Sequence, residues 1–293
     1  SNPSKTNGFL SPIRGWQASW TASQAQGTVM AVIAQDCLVI VLRSPSTNVY
    51  KATLPVVPGE EGPDHLLHGL RVRKIDADFQ FSSNNPMVEY APSWFPIGSH
   101  SICAMTGLAL DVEHLCRVLQ GIATDHYNIF QKSLTTHSLT QKLARVFQNV
   151  CLVQDSRPFG VQSMIVGCDD IDPNNSDQGL CIYSIDPSGS WQSWGRATAI
   201  GKYGREVRQM IARRLQVSPS SSSMDLEQAV ECLATCWKDT CKDQNVAANV
   251  KEDFQVLILK SDPNESTKKR ILFQVPSNEV SRILKTIESK ASG

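Results

Sequence analysis

One threonine and a few polar clusters carry the side chains that could do chemistry. Thr28 opens the apolar run "GTVMAVIAQDCLVIVLRS" directly behind Gly27. If the Gly27–Thr28 bond were cut, the freed α-amine would act as base for the threonine hydroxyl, giving a threonine-type hydrolase. Joined to Gly27, Thr28 has no such base. It then reads as a β-branched residue at the start of a strand.

The other clusters fall short of sites. Asp170, Asp172 and Asn174 alternate like the opening of a calcium loop. Asn175 stands where the loop needs glycine, and Cys181 stands where it needs glutamate. A surface turn is the reading. Cys232, Cys236 and Cys241 share one predicted helix without histidine support, which describes buried thiols rather than zinc ligands. His65 and His68 lack a third ligand. No phosphate-binding glycine loop, G-x-S-x-G or H-E-x-x-H appears, so no cofactor or metal is expected. The basic run Lys202, Arg205, Arg208, Arg213 and Arg214 has no aromatic interleaving. Lys+Arg and Asp+Glu are 28 each, so the chain is not read as a nucleic-acid binder. No stretch reaches the roughly 18 apolar residues of a membrane span. Nine scattered cysteines without a pairing framework predict reduced thiols and a cytoplasmic and nuclear location.

These residues must be positioned by the following elements. Residues 1–14 are polar and predicted mobile, and Trp16 and Trp20, four apart, suit one helical face. A hairpin follows, broken at Gln35–Asp36. Residues 45–93 lack sustained periodicity and read as an insertion with at least one strand near "HGLRVRKIDADFQF". "FPIGSHSICAMTG" is a strand. Two helices come next, with apolar stripes assigned to Leu110, His114, Val118 and Ile122, then to Leu139, Leu143, Val146 and Val150. "GVQSMIVGCDD", "GLCIYSIDPSGS" and "WQSWGRATAIG" read as one strand each. Two more helices, a terminal hairpin and a helix capped by Ser277 complete the order. Paired helices between blocks of sequential strands predict an α+β fold: a four-layer αββα sandwich of two antiparallel sheets flanked by helices, one domain over residues 15–293.

Several phrases then resemble the proteasome α-subunit family. "RPFGVQSMIVGCDD" is similar to its Arg-Pro-Phe-Gly entry to a central strand. "YSIDPSGSWQSWGRATAIGK" is similar to its Asp-Pro-Ser-Gly turn and Ala-x-x-Ile-Gly corner. "SICAMTGLALD" is similar to its strand, glycine and helix start, and "SPIRGWQASWTA" to a worn amino-terminal helix. The resemblance implies the Ntn-hydrolase fold. It also implies a non-catalytic subunit of a seven-membered outer ring that gates substrate entry and docks the β-ring and activators in ubiquitin-dependent degradation. Trp16, Trp20, Asp111, Leu115, Arg157 and Phe159 are the expected subunit contacts, with the helix over residues 111–126 facing the β-ring. In active relatives a carboxylate closes the second strand and a lysine precedes the strand leading to the first helix. Here those positions fall at Arg43–Ser44 and at Ser93, with Lys74 as a rival register for the lysine. A serine at 93 also leaves the activator-tail pocket without its cation. The usual Tyr-Asp-Arg is absent from "SNPSKTNGFL". "AIGKYGREVRQ" resembles the α4 or α7 positions. The alternatives are a β-like threonine hydrolase using Thr28, or a divergent paralogue working outside the ring.

Overall fold

A computed structural model describes residues 18, 21–22, 27–35, 37–45, 65–67, 70–75, 93–98, 100–153, 156–169, 179–217, 224–244, 252–261 and 270–292. In chain order the elements are β1 (Thr28–Ile33), β2 (Cys37–Pro45), β3 (His65–Leu67), β4 (Leu70–Ile75), β5 (Ser93–Ile97) and β6 (Ser101–Gly107). Helices α1 (Ala109–Phe130) and α2 (Thr136–Leu152) follow. Then come β7 (Val161–Cys168), β8 (Leu180–Ile185), β9 (Trp191–Trp194) and β10 (Ala197–Gly201). Helices α3 (Gly204–Val217) and α4 (Leu226–Asp243), strands β11 (Glu252–Ser261) and β12 (Arg270–Val275), and helix α5 (Ser277–Ser292) complete the set.

The strands form two antiparallel sheets, ordered β10-β1-β2-β11-β12-β4-β3 and β5-β6-β7-β8-β9. Side chains alternate between the two faces of a strand, and here both faces are apolar. Along β1, Val29 and Ala31 enter the cluster between the sheets, while Met30 and Val32 enter the cluster beneath α3, α4 and α5. Along β6, Ile102 and Ala104 face the other sheet, while Cys103 and Met105 pack with α1 and α2. Three apolar layers between four structural layers make the αββα sandwich.

Four local expectations need correction. On α1 the buried face is Val112, Leu115 and Leu119, and Leu110 is exposed. The rows at i+4 and i+3/i+4 lie side by side on a helix, and counting fours alone selected the neighbouring stripe. On α2, Phe147 takes the core place assigned to Val146. "WQSWGRATAIG" is two strands in different sheets: β9 pairs with β8, and β10 pairs with β1. The chain changes sheet at the Gly195–Arg196 bend, where the Arg196 carbonyl accepts the Ile33 amide at 2.8 Å. Ser277 is the first residue of α5.

Two helix starts carry side-chain caps. Thr135 Oγ1 accepts the Ser138 amide ahead of α2, and Asp225 with Gln228 forms a capping box on α4. The largest fully buried side chain is Trp237 on α4, with the Arg43 guanidinium 4.5 Å from its ring centre. Replacing Trp237 with alanine is expected to cost about 3–5 kcal/mol, because the surrounding layers cannot collapse onto the space. The shift in urea midpoint at unchanged slope measures it.

Candidate functional site

Thr28 is the first residue of β1 and has no exposed surface. Alternation places it on the same face as Met30 and Val32, toward the helices and away from the gap between the sheets. Its hydroxyl donates to the Lys202 carbonyl at 2.9 Å. The peptide carbonyl before it is held as firmly. Gly27 O accepts the Lys202 amide at 3.0 Å and the Thr106 hydroxyl at 3.2 Å. Gly201 pairs with Thr28 at φ +87, and a Cβ there would lie 2.3 Å from Gly27 O. In this chain the threonine nitrogen is an amide, its hydroxyl is engaged as a donor, and the carbonyl that cleavage would attack lies beneath its partners.

The groups that would tune such a threonine are elsewhere. The residue opposite Thr28 on β2 is Arg43, a buried cation instead of a carboxylate. Ser93 opens the edge strand β5, opposite Met105 of β6 and one residue from Thr106. Lys74 lies on β4, with β2, β11 and β12 between it and β1, roughly 19 Å away at ordinary strand spacing. Lys74 therefore does not approach Thr28, and the other register position holds a serine.

Two of the sequence motifs meet at this corner. Gln162 of β7 accepts the Gly201 amide at 2.8 Å and donates to Asp186 of the Asp-Pro-Ser-Gly turn at 3.3 Å. The turn closes with the Gly189 amide donating to the Asp186 carbonyl at 2.8 Å. Gly189 has φ +78, and a Cβ there would meet the Ala144 carbonyl of α2 at 2.6 Å. Sequence reasoning missed Thr106 and Gln162, since a lone Thr and a lone Gln in apolar strands carry no spacing signal.

The third motif braces the start of α1. Arg157 donates from Nη1 and Nη2 to the two Asp111 oxygens, each at 2.6 Å, and the Gly160 amide donates to Asp111 Oδ2 at 3.0 Å. The carboxylate sits in the first helical turn, where the helix field favours an anion. Hydrogen bonding to Asp111 raises the Arg157 pKa further. Leu115 is wholly buried within its own chain, so it is a core residue with no surface to give a neighbour. Phe159 packs edge-on against Phe147, 5.6 Å between ring centres. Ala18, Thr21 and Ala22 are helical, and a Cβ on Gly160 would lie 3.3 Å from the Thr21 methyl. Trp16 and Trp20 lie outside the described residues, as do Asp170, Asp172, Asn174 and His68. Among the described residues no group of three or more His, Cys, Asp or Glu could hold a metal, and no helix is long and apolar enough to cross a membrane.

The sequence profile of the family described as Proteasome subunit matches residues 77–252, more than half of the chain. Among curated relatives, "Proteasome subunit alpha type-2" of Oryza sativa subsp. indica is 27% identical over 157 residues, 54% of this chain and 60% of its own length. "Probable proteasome subunit alpha type-2" of Schizosaccharomyces pombe is 25% identical over 174 residues, 56% and 64% of the two chains. The Neurospora crassa protein of the same name is 31% identical over 121 residues, 41% and 43%. The chain thus spans under two thirds of the length of these relatives. They carry the type-2 name, whereas the 199–209 phrase resembled types 4 and 7.

Substituting Gly201 by alanine should lower the unfolding midpoint far more than Gly195→Ala, whose added methyl meets nothing within 4 Å. Arg157→Met should cost about 1–3 kcal/mol, because the enclosed Asp111 carboxylate loses its bidentate partner. Denaturant titration of the variants checks both.

Proposed function

Because the chain belongs to the proteasome subunit family, we propose that it is a non-catalytic α-type subunit of a 20S core particle, working in ubiquitin-dependent protein degradation. The observation that carries this reading is the enclosed Gly27–Thr28 junction, in a chain whose relatives are named as α-type subunits. A threonine with no free amine, facing Arg43 where a carboxylate would be required, leaves architecture as the role.

In this reading the subunit sits in a seven-membered outer ring, contacting α-subunit neighbours on two sides and the β-ring below. Helix α1 supports the β-ring contact, because Leu110, Tyr127, Ile129 and Phe130 stand exposed on it. Trp16 and Trp20 are assigned to the α–α contact, and Asp111 with the largely exposed Arg157 braces the helix start. The segment ahead of β1 is assigned to the gate. The pocket at Ser93 binds activator tails weakly for want of a cation at that strand position. Cytoplasm and nucleus are the proposed locations, supported by nine free cysteines.

Native mass spectrometry of the tagged full chain is expected to show stoichiometric co-purification with other α- and β-type subunits. An epoxyketone probe should label β-subunit threonines in that particle and leave this chain unlabelled. Recovery as a free monomer, or a covalent adduct at Thr28, would count against the reading.

A further inference from the structure

The larger sheet outruns the smaller one. It has seven strands against five, and the apolar layer between the sheets reaches β4 only at Ile75. Side chains alternate along β4, so Arg71 and Arg73 share the side of Ile75, while Leu70 and Val72 pack toward the helices. Beyond Ile75 that side is open. Arg71 and Arg73 are exposed, and Leu66 of β3, directly opposite Arg71, is 76% exposed. Gln274 of β12 stands opposite Arg73. Among the described residues neither arginine has an ion-pair partner.

We propose that this overhang is a docking face for an extended acidic peptide that carries Glu-x-Glu beside an apolar residue. Arg71 and Arg73 lie two residues apart on one face, about 6.6–6.8 Å along the strand. Alternate side chains of an extended peptide have the same separation, so carboxylates at i and i+2 meet the two guanidinium groups in register. Each planar guanidinium takes its carboxylate through paired N–H donors. Leu66 lies about 4.5–5.5 Å from Arg71 across the hairpin and supplies an apolar contact next to the first pair. Side chains hold the peptide, because the three-residue β3 offers little free backbone for strand addition.

The face fits a nucleic acid less well. Phosphate-tracking grooves spread several cations and stacking rings over a broad surface. Here two arginines border an aliphatic side chain, in a chain with 28 basic and 28 acidic residues. Covering Leu66 removes apolar surface from water, which a peptide side chain does and a phosphate does not. Residues 65–75 also precede the 77–252 span matched by the family profile, so the face stands apart from the role proposed above.

The test is fluorescence polarisation of a labelled Glu-Leu-Glu-Val-Glu peptide against the purified full chain, with the flanking acids Glu60, Glu61, Asp64, Asp76 and Asp78 left in place. Binding that weakens as salt rises is expected. Arg71→Gln and Arg73→Gln should each weaken it about threefold to fivefold, and Leu66→Ser about threefold. Lys74→Gln, whose side chain alternates to the opposite side, should leave it unchanged. The variants occupy exposed positions on two strands, and urea midpoints equal to that of the parent chain identify those that report binding alone. No binding, equal binding of a Gln-Leu-Gln-Val-Gln control, or an equal loss in Lys74→Gln would overturn the proposal. Unchanged binding in either arginine variant or in Leu66→Ser would do the same. So would a short single-stranded oligonucleotide that binds more tightly through the same arginines, because the face would then belong to a phosphate polyanion.

Discussion

Two backbones meet at Gly27 and Gly201 with no side chain between them, and the fold depends on that approach. The space a Cβ on Gly201 would fill is already occupied by the Gly27 carbonyl, 2.3 Å away. Because the gap is closed, the Lys202 amide and Thr106 hydroxyl reach the same carbonyl, and Gln162 reaches the Gly201 amide. Lys202 opens the path into α3, Thr106 lies next to the end of β6, and Gln162 lies on β7. One glycine pair thereby ties β1 and the β10–α3 corner of one sheet to two strands of the other. A buried carbonyl with two donors is satisfied, and losing both would leave a costly orphan.

The same contact decides what Thr28 can be. A nucleophile needs an exposed hydroxyl, a base within reach and room for a substrate carbonyl. Here the hydroxyl bonds to main chain on the helix side of the sheet, and its partner on β2 is cationic. Arg43 is itself enclosed and lies over the Trp237 ring, where a desolvated cation–π contact offsets part of its burial. The position is organised around holding layers together. The Asp111–Arg157 brace does the corresponding work on the opposite helix layer, where an enclosed carboxylate collects a guanidinium and a main-chain amide at the start of α1.

Much of this was legible because strands buried on both faces write continuous apolar runs, and turns write Pro, Gly and Asp. "GTVMAVIAQDCLVIVL" announced a hairpin, and Asp-Pro-Ser-Gly announced a turn before either partner was known. The four-layer order followed from helices arriving in pairs. Less legible was anything depending on which neighbour a residue would meet. The stripe on α1 was misjudged by one row, since periodicity fixes that a face is apolar more firmly than which residues centre it. The change of sheet at Gly195–Arg196 left only a lone glycine as a trace. Arg43 gave no hint of a Trp237 partner, because a cation in an apolar strand reads only as a strand end until the helix above it is placed. Gln162 and Thr106 act through contacts between sheets, which no local pattern encodes.

The long stretch over residues 45–93 reads best as an answer to an edge. The larger sheet does not stop at β12. It continues into β4 and then the three-residue β3, both from that stretch. An edge strand exposes unpaired amides and carbonyls that invite another chain. Covering β12 with β4 moves that liability outward onto a very short strand beside a charged one: Arg71, Arg73 and Lys74 are exposed on β4, while Leu70 and Val72 remain in the core. Phe273 of β12 gains cover from the same hairpin, with the His65 ring 6.2 Å away. A very short outer strand beside a charged one leaves little unpaired backbone for another chain to pair with at this edge. The segment with the weakest sequence pattern thus supplies the two outermost strands at one edge of the larger sheet.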